Sequence, residues 1–167
     1  FKMAERFNSV LYGFDEEIAG VLRKLPLTVK QNTEEIRLRC GLPLALTVAG
    51  ETVFVKASGQ TSFYPTDSLM PVSRKNVDES FKKLCNNSAF AHENELKNGY
   101  ITYSRGIRIG LCGDSTAGNG LSKITSLNIR IPYFGKADAD IDFGEILSFS
   151  SGLLIAGAPS SGKTTLL

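Results

Sequence analysis

Positions 35–39 of this 167-residue chain read Glu-Ile-Arg-Leu-Arg, and this alternation decides the first part of the fold. Charged and apolar side chains alternate with a period of two, which predicts a strand with one buried face and one face in water. Two β-rich runs follow at 44–48 and 52–55, and the Ala-Gly-Glu between them predicts a hairpin. The sequence therefore predicts a sheet that begins near residue 35.

Helical patterns flank these strands. Asp15 can cap a helix over 15–24, and Pro26 ends that helix. Ser73 can cap a second helix, and a short third helix ends at the Asn-Gly of 98–99. The remaining predictions are strands at 100–103, 107–112 and 124–131, and loops at 57–71 and 113–120. Helices mixed with short antiparallel strands predict an α+β domain over residues 1–135, followed by a linker over 136–150.

The composition excludes several classes of protein. Hydrophobic residues make up 42% of the chain and charged residues 22%, as in ordinary globular proteins. The longest apolar run, 153–156, is far shorter than the roughly 18 residues of a membrane-spanning helix. Three widely spaced cysteines argue against a disulfide framework and a zinc site. His92 is the only histidine, which excludes histidine-based triads and multi-histidine metal sites.

Charge is distributed unevenly along the chain. Nineteen basic against seventeen acidic side chains give a net charge of only +2. Residues 97–136, however, carry six basic side chains against one acidic side chain, Asp114. This segment is a candidate anion-facing surface, with a solvated basic face of a sheet as the alternative.

One motif carries chemistry. Residues 157–164 read Gly-Ala-Pro-Ser-Ser-Gly-Lys-Thr and fit the P-loop (Walker A) pattern G-x-x-x-x-G-K-[ST] at every fixed position. An apolar run at 152–156 predicts the strand that leads into such a loop, and a helix is predicted to start at 164. Residues 151–167 are therefore predicted to begin a P-loop NTPase domain. The predicted nucleotide-binding residues are Gly157, Ala158, Pro159, Ser160, Ser161, Gly162, Lys163, Thr164 and Thr165.

The residue types of the motif suit a magnesium triphosphate. Backbone N–H groups of the loop converge on the phosphates, and Gly157 and Gly162 permit their close approach. Lys163, the predicted catalytic residue, reaches the β- and γ-phosphates, and the Thr164 hydroxyl joins the Mg²⁺ shell. ATP and Mg²⁺ are the predicted cofactors. Such ATPases also need an acidic residue on a later strand, so we expect residues 1–167 alone to be inactive.

Several further motifs accompany the P-loop. They are Leu-Pro at 25–26, Glu-Glu-Ile-Arg-Leu-Arg at 34–39, Gly-Leu-Pro-Leu at 41–44, Gly-Tyr-Ile-Thr at 99–102, Arg-Ile-Gly-Leu-Cys-Gly at 108–113 and Ser-Leu-Asn-Ile-Arg-Ile at 126–131. Together they resemble the stage III sporulation protein AA family over essentially the whole chain. In that family's nucleotide site, the matching positions are Gly157, Gly162, Lys163 and Thr164.

The resemblance implies a RecA/AAA-like ATPase, similar to the motor ATPases of type II and type IV secretion systems. Residues 151–167 would then be the first strand and P-loop of an α/β RecA-like domain. The family implies self-association into rings, expected to be hexamers, with nucleotide between subunits. It also implies a location in the mother-cell cytoplasm, peripheral to the membrane around the forespore, and membrane channel proteins of the sporulation complex as partners.

The chain departs from the family pattern beside two arginines. Arg105-Gly106-Ile107 stands where Gly-Gly-His often precedes Arg108, and Pro132-Tyr133 stands where Ala-Arg often follows the Asn-Ile-Arg-Ile motif. Arg108 and Arg130, both on predicted basic strands, are candidates for a phosphate contact between subunits.

Two other functions stay open. A P-loop domain that tracks nucleic acid would use the basic stretch 97–136 and its aromatic side chains, although nucleic acid is the less favoured partner. Residues 1–135 could instead form an oligomerisation or docking scaffold with no ligand of its own. ATP hydrolysis that drives a sporulation channel is the leading prediction.

Overall fold

A computed structural model describes residues 2–86, 92–104, 107–116 and 120–131, together with 154, 156 and 157. The chain divides into two compact units, Phe1–Pro132 and Tyr133–Leu167, and every described helix and strand lies in the first. The helices are α1 (Lys2–Val10), α2 (Glu16–Arg23), α3 (Leu27–Asn32), α4 (Arg74–Leu84) and α5 (Glu93–Lys97), with a 3-10 turn at Leu11–Gly13. The strands are β1 (Thr33–Arg39), β2 (Ala45–Val48), β3 (Glu51–Val55), β4 (Thr61–Ser62), β5 (Tyr100–Tyr103), β6 (Ile107–Thr116) and β7 (Gly120–Arg130).

The seven strands form one sheet in the order β4-β3-β2-β1-β7-β6-β5, and every neighbouring pair is antiparallel. β1 occupies the middle of the sheet, between β2 and β7. The predicted hairpin of β2 and β3 is confirmed. The α+β class predicted for the first domain is therefore confirmed. The predicted linker 136–150 lies outside the described residues, so the predicted domain limits stay predictions.

One face of the sheet is buried beneath the helices. Ile36 and Leu38 of β1 are fully buried and share a core with Phe14 and Ile18, while Arg39 is exposed. The period of two predicted for 35–39 is therefore confirmed. Each such large apolar side chain contributes roughly 1.5–3 kcal/mol on burial, so the core holds the helices to this face. The other face contains positions 35, 37 and 39 of β1 and their neighbours across the sheet, and we call it the open face. It is mainly polar, with Ala45 of β2 and Phe54 of β3 as apolar members beside Arg37.

Both predicted helix caps are confirmed. The Asp15 carboxylate accepts a hydrogen bond from the Ile18 amide at 3.2 Å, and α2 begins at the next residue. At the start of α4, Ser73 and Asn76 form a capping box, each side chain accepting from the other's backbone N–H. These local bonds satisfy amides that the first helical turn leaves without partners, which is why a short sequence signal suffices to predict them.

Three predictions need correction or addition. The predicted loop 57–71 contains β4, and much of the predicted loop 113–120 belongs to β6 and β7. The Gly, Ser and Thr residues of 113–120 favour a loop by composition. The ends of β6 and β7 nevertheless pair with each other here, and this cross-strand pairing outweighs the weak preference for a loop. The helix α3, which begins directly after Pro26, was not predicted. Among the described helices, none combines the length and apolar composition that a membrane span requires.

The turn between β3 and β4 packs closely on the end of α2, at Gly59. Gly59 has φ +87°, and a Cβ there would meet the Lys24 side chain and lie 3.0 and 3.1 Å from its backbone carbon and oxygen. Gly50 has a similar φ of +82° but open space around it. We expect Gly59→Ala to cost about 3 kcal/mol, and Gly50→Ala about 1 kcal/mol, because only the first adds an overlap to the backbone strain. Urea unfolding of the two variants measures the difference, and equal costs would contradict it.

Candidate functional site

The predicted P-loop lies almost wholly outside the described residues. Of its nine predicted nucleotide-binding positions only Gly157 is described, and it is exposed. Leu154, which is 89% exposed, and Ala156 lie outside regular secondary structure, so the strand predicted at 152–156 is not formed at these positions. The predicted roles of Ala158 to Thr165, including Lys163 and Thr164, stay predictions.

The two predicted arginines are brought together on the open face. In the β6–β7 ladder Ile109 lies opposite Ile129 and Gly110 opposite Asn128, so the next step of the same register places Arg108 opposite Arg130. Both side chains are exposed, as their positions between buried isoleucines require. Neighbouring strands are about 4.8 Å apart, so both guanidinium groups can reach a single anion.

The carboxylate of Glu35 lies beside the pair of Arg108 and Arg130, but it accepts its hydrogen bonds from other residues. Glu35 of β1 is the register partner of Arg130. Its Oε2 accepts from Arg37 Nη2 at 2.6 Å and Nε at 2.9 Å, and its Oε1 accepts from Asn128 Nδ2 at 2.6 Å. The Thr47 hydroxyl adds a bond of 3.3 Å to Oε2. Glu35 is thus fixed by Arg37 and Asn128, and Arg130 makes no ion pair with any described residue.

The protonation of Glu35 follows from the same contacts. Partial burial of the carboxyl acts to raise its pKa, but the hydrogen bonds from Arg37, Asn128 and Thr47 and the charge of Arg37 together outweigh burial and lower it. Glu35 therefore stays ionised at neutral pH, and its charge is neutralised by Arg37 rather than by Arg130. The open face consequently keeps the positive charges of Arg108 and Arg130.

An aromatic ring completes the site. The Arg108 guanidinium lies over the Tyr100 ring, 5.6 Å from its centroid, which is a cation–π arrangement. Asn128 Oδ1 has no hydrogen-bond partner among the described residues. The sequence indicated the two arginines but not Glu35, Arg37 or Asn128. Their association depends on the β1–β7 register, which no local pattern encodes.

Glu95 and Cys85, two further titratable groups among the described residues, have shifted pKa values. His92 Nδ1 lies 2.8 Å from Glu95 Oε2, and this hydrogen bond, with those from Thr102, lowers the pKa of Glu95. Burial, with a smaller effect of Glu95, raises the pKa of Cys85 to about 11, which leaves that thiol protonated and unreactive. No group of three or more His, Cys, Asp or Glu among the described residues could hold a metal ion.

Comparisons with known proteins agree with the family resemblance indicated by the sequence motifs. The family model described as sporulation stage III, protein AA, matches residues 9–167. The stage III sporulation protein AA of Bacillus subtilis (strain 168) is 32% identical over 166 residues, covering 96% of this chain and 50% of the relative. The chain thus spans about half the length of the curated relative it matches. No solved structure matches significantly. The match over nearly all of its length shows that the chain belongs to the stage III sporulation protein AA family.

Proposed function

We propose that this chain is part of an ATP-hydrolysing motor protein of endospore formation, which powers a channel or secretion-like complex between mother cell and forespore. The role in sporulation follows from the family. The observation that carries the ATPase proposal is the P-loop signature at 157–164, which matches at every fixed position and follows an apolar run. The signature also lies inside the region that matches the family model, which argues against a chance match.

The donor set of the signature fits a magnesium triphosphate. Backbone N–H groups of residues 157–162 would bind the phosphate oxygens, and Lys163 would place a positive charge on the β- and γ-phosphates. The Thr164 hydroxyl would be a ligand of Mg²⁺, which neutralises charge on the transferred phosphoryl group when bound. In this proposal Lys163 is the catalytic residue of the chain, and residues 151–167 are the start of a RecA-like domain.

A nucleotide bound between subunits would need a cation from a neighbour. Arg108 and Arg130 are adjacent, exposed and without an ion-pair partner among the described residues, so they are candidates for this contact with the nucleotide of a neighbouring subunit, unless another phosphate ligand occupies them. We extend the proposal to a homo-oligomeric ring, with six subunits as the working number. The ring would assemble in the mother-cell cytoplasm against membrane channel proteins around the forespore.

The experiment is ATP turnover with and without Mg²⁺, in a protein that carries this chain at the full length of its Bacillus subtilis relative. Phosphate release is followed over a range of protein concentrations, with the oligomeric state measured in parallel by light scattering. We expect Mg²⁺-dependent turnover that rises more steeply than protein concentration as rings form. Absence of both turnover and ATP binding under ring-forming conditions would refute the proposal.

A further inference from the structure

The open face has a net excess of positive charge among the described residues. Strands β1, β6 and β7 place Arg37, Arg39, Arg108 and Arg130 on this face, with Glu35 among them, and the charges of Asp114 and Lys123, which lie opposite each other further along β6 and β7, cancel. Arg37 is paired with Glu35, whereas the other three arginines make no ion pair with described residues. The face therefore has a local charge of about +3, which fits a polyanion.

The position of Arg108 beside Arg130 is unfavourable without a ligand. Like charges directly opposite each other on neighbouring strands repel and destabilise a sheet. The nearest acid that could relieve this repulsion, Glu35, is held away by its bonds to Arg37 and Asn128. The arrangement leaves two arginines ready to share an anionic group such as a phosphate.

Arg39 indicates that the ligand carries more than one such group. Arg39 lies opposite Ser126, four residues along β1 from Glu35 and its partner Arg130. At about 3.3 Å per residue this is a separation of about 13 Å, so one phosphate cannot bridge both ends of the face. Between these ends lie Asn128 and Gly110, which are polar or small and can accommodate a chain that crosses the strands.

The aromatic ring distinguishes among polyanions. Tyr100 is half-buried and has Arg108 over its ring, so its ring offers a planar surface for a nucleobase once Arg108 turns to a phosphate. The exposed large apolar side chains of the described residues are Tyr12, Leu27, Leu42, Phe63, Tyr64 and Leu154, and none lies on a strand of the open face. A bilayer would favour such apolar residues beside the basic ones. We propose that the open face binds single-stranded nucleic acid, with Arg39, Arg108 and Arg130 on phosphates and Tyr100 under a base.

The test is direct binding of a fluorescein-labelled 20-nucleotide oligo(dT) to the 167-residue chain, measured by anisotropy from low to moderate salt. We expect binding that weakens steeply with salt. Arg108→Ala with Arg130→Ala is expected to weaken it at least about tenfold and to lower the slope against log salt by about 1.4, or about 0.7 per lost phosphate contact. Lys75→Ala removes an exposed charge on the helical side and should leave binding unchanged.

Two further variants separate a built site from general attraction to charge. Tyr100→Phe should retain binding, whereas Tyr100→Leu should weaken it about tenfold through loss of stacking. Arg37→Ala should weaken binding by releasing Glu35 towards Arg130, and adding Glu35→Gln to that variant should restore it. Lys163→Ala should bind like the wild type, which excludes the P-loop as the binding site and makes the result independent of ATP hydrolysis.

Several outcomes would overturn the proposal. These are no binding of the oligonucleotide at low salt, equal binding by the wild type and the Arg108/Arg130 double variant, or tight binding of inorganic polyphosphate together with indifference to Tyr100→Leu. Binding of phosphatidylglycerol vesicles through the same arginines, without binding of oligo(dT), would assign the face to a membrane instead. Thermal unfolding confirms that each variant is folded before its affinity is compared.

Discussion

Replacing Lys163 with alanine is expected to lower ATP turnover at least about a hundredfold, in a protein that carries this chain at the full length of its relative. The Lys163 ammonium would be the positive charge nearest the β- and γ-phosphates, where negative charge is redistributed during phosphoryl transfer. Removing one preorganised group of this kind commonly costs a factor of 10² to 10³ in rate. Phosphate release under saturating ATP and Mg²⁺ measures the effect.

The matched control for this prediction is Lys75→Ala. Lys75 is exposed on α4, in a different unit of the chain, and makes no ion pair with described residues. Its removal changes the net charge by the same amount and should leave turnover unchanged. If the two variants retain the same turnover as the wild type, the P-loop signature does not mark a working nucleotide site. If both lose it equally, the loss reflects general charge or folding rather than phosphate binding.

The parts of the fold that follow from neighbouring residues could be predicted from the sequence. Asp15 and Ser73 cap helices through bonds that span three residues, and the alternation at 35–39 marks a half-buried strand wherever that strand pairs. The order of the strands could not be predicted, because β1 pairs with β7 across most of the chain. For the same reason residues 113–120 were predicted as a loop, although the strands predicted at 107–112 and 124–131 are confirmed: the stability of this end of the β6–β7 ladder lies in the pairing of two segments that each look irregular alone.

The candidate site divides in the same way. The basic character of Arg108 and Arg130 was evident from the sequence, but their adjacency needs the β6–β7 register. Glu35 accepts hydrogen bonds from Arg37 and Asn128, and Arg130 makes no ion pair with the described residues. This arrangement could be seen only from the β1–β7 register together with the side-chain geometry. For the P-loop the opposite holds: the sequence alone identifies it, whereas its residues beyond Gly157 lie outside the described part of the structure.

Replacing Asn76 with aspartate is expected to destabilise the first unit by about 4 kcal/mol at neutral pH. Asn76 is 1% exposed and donates from Nδ2 to Asp15 Oδ2 and Glu17 Oε2, both at 2.9 Å. Its Oδ1 accepts from the backbone N–H and hydroxyl of Ser73, each at 2.7 Å. One amide thus joins the starts of α2 and α4. Aspartate could still accept from Ser73, but it would place a third carboxylate against two others without a donor.

The pH dependence of the stability lost in Asn76→Asp identifies the cause of the loss. Carboxylates crowded together have raised pKa values, so in the variant a proton is taken up as the pH falls, and the protonated group donates the hydrogen bond that the amide supplied. The deficit in unfolding free energy relative to wild type should therefore shrink between pH 7 and about pH 4.5, as measured by urea unfolding at each pH.

Asn76→Ala should cost about 2–3 kcal/mol, with a weaker pH dependence, because it leaves the acceptors unpaired but adds no charge. Asn98→Asp, at an exposed helix end, should cost less than about 1 kcal/mol. A deficit for Asn76→Asp that stays constant with pH would show that shape, rather than charge, makes the amide necessary at the junction of the two helices.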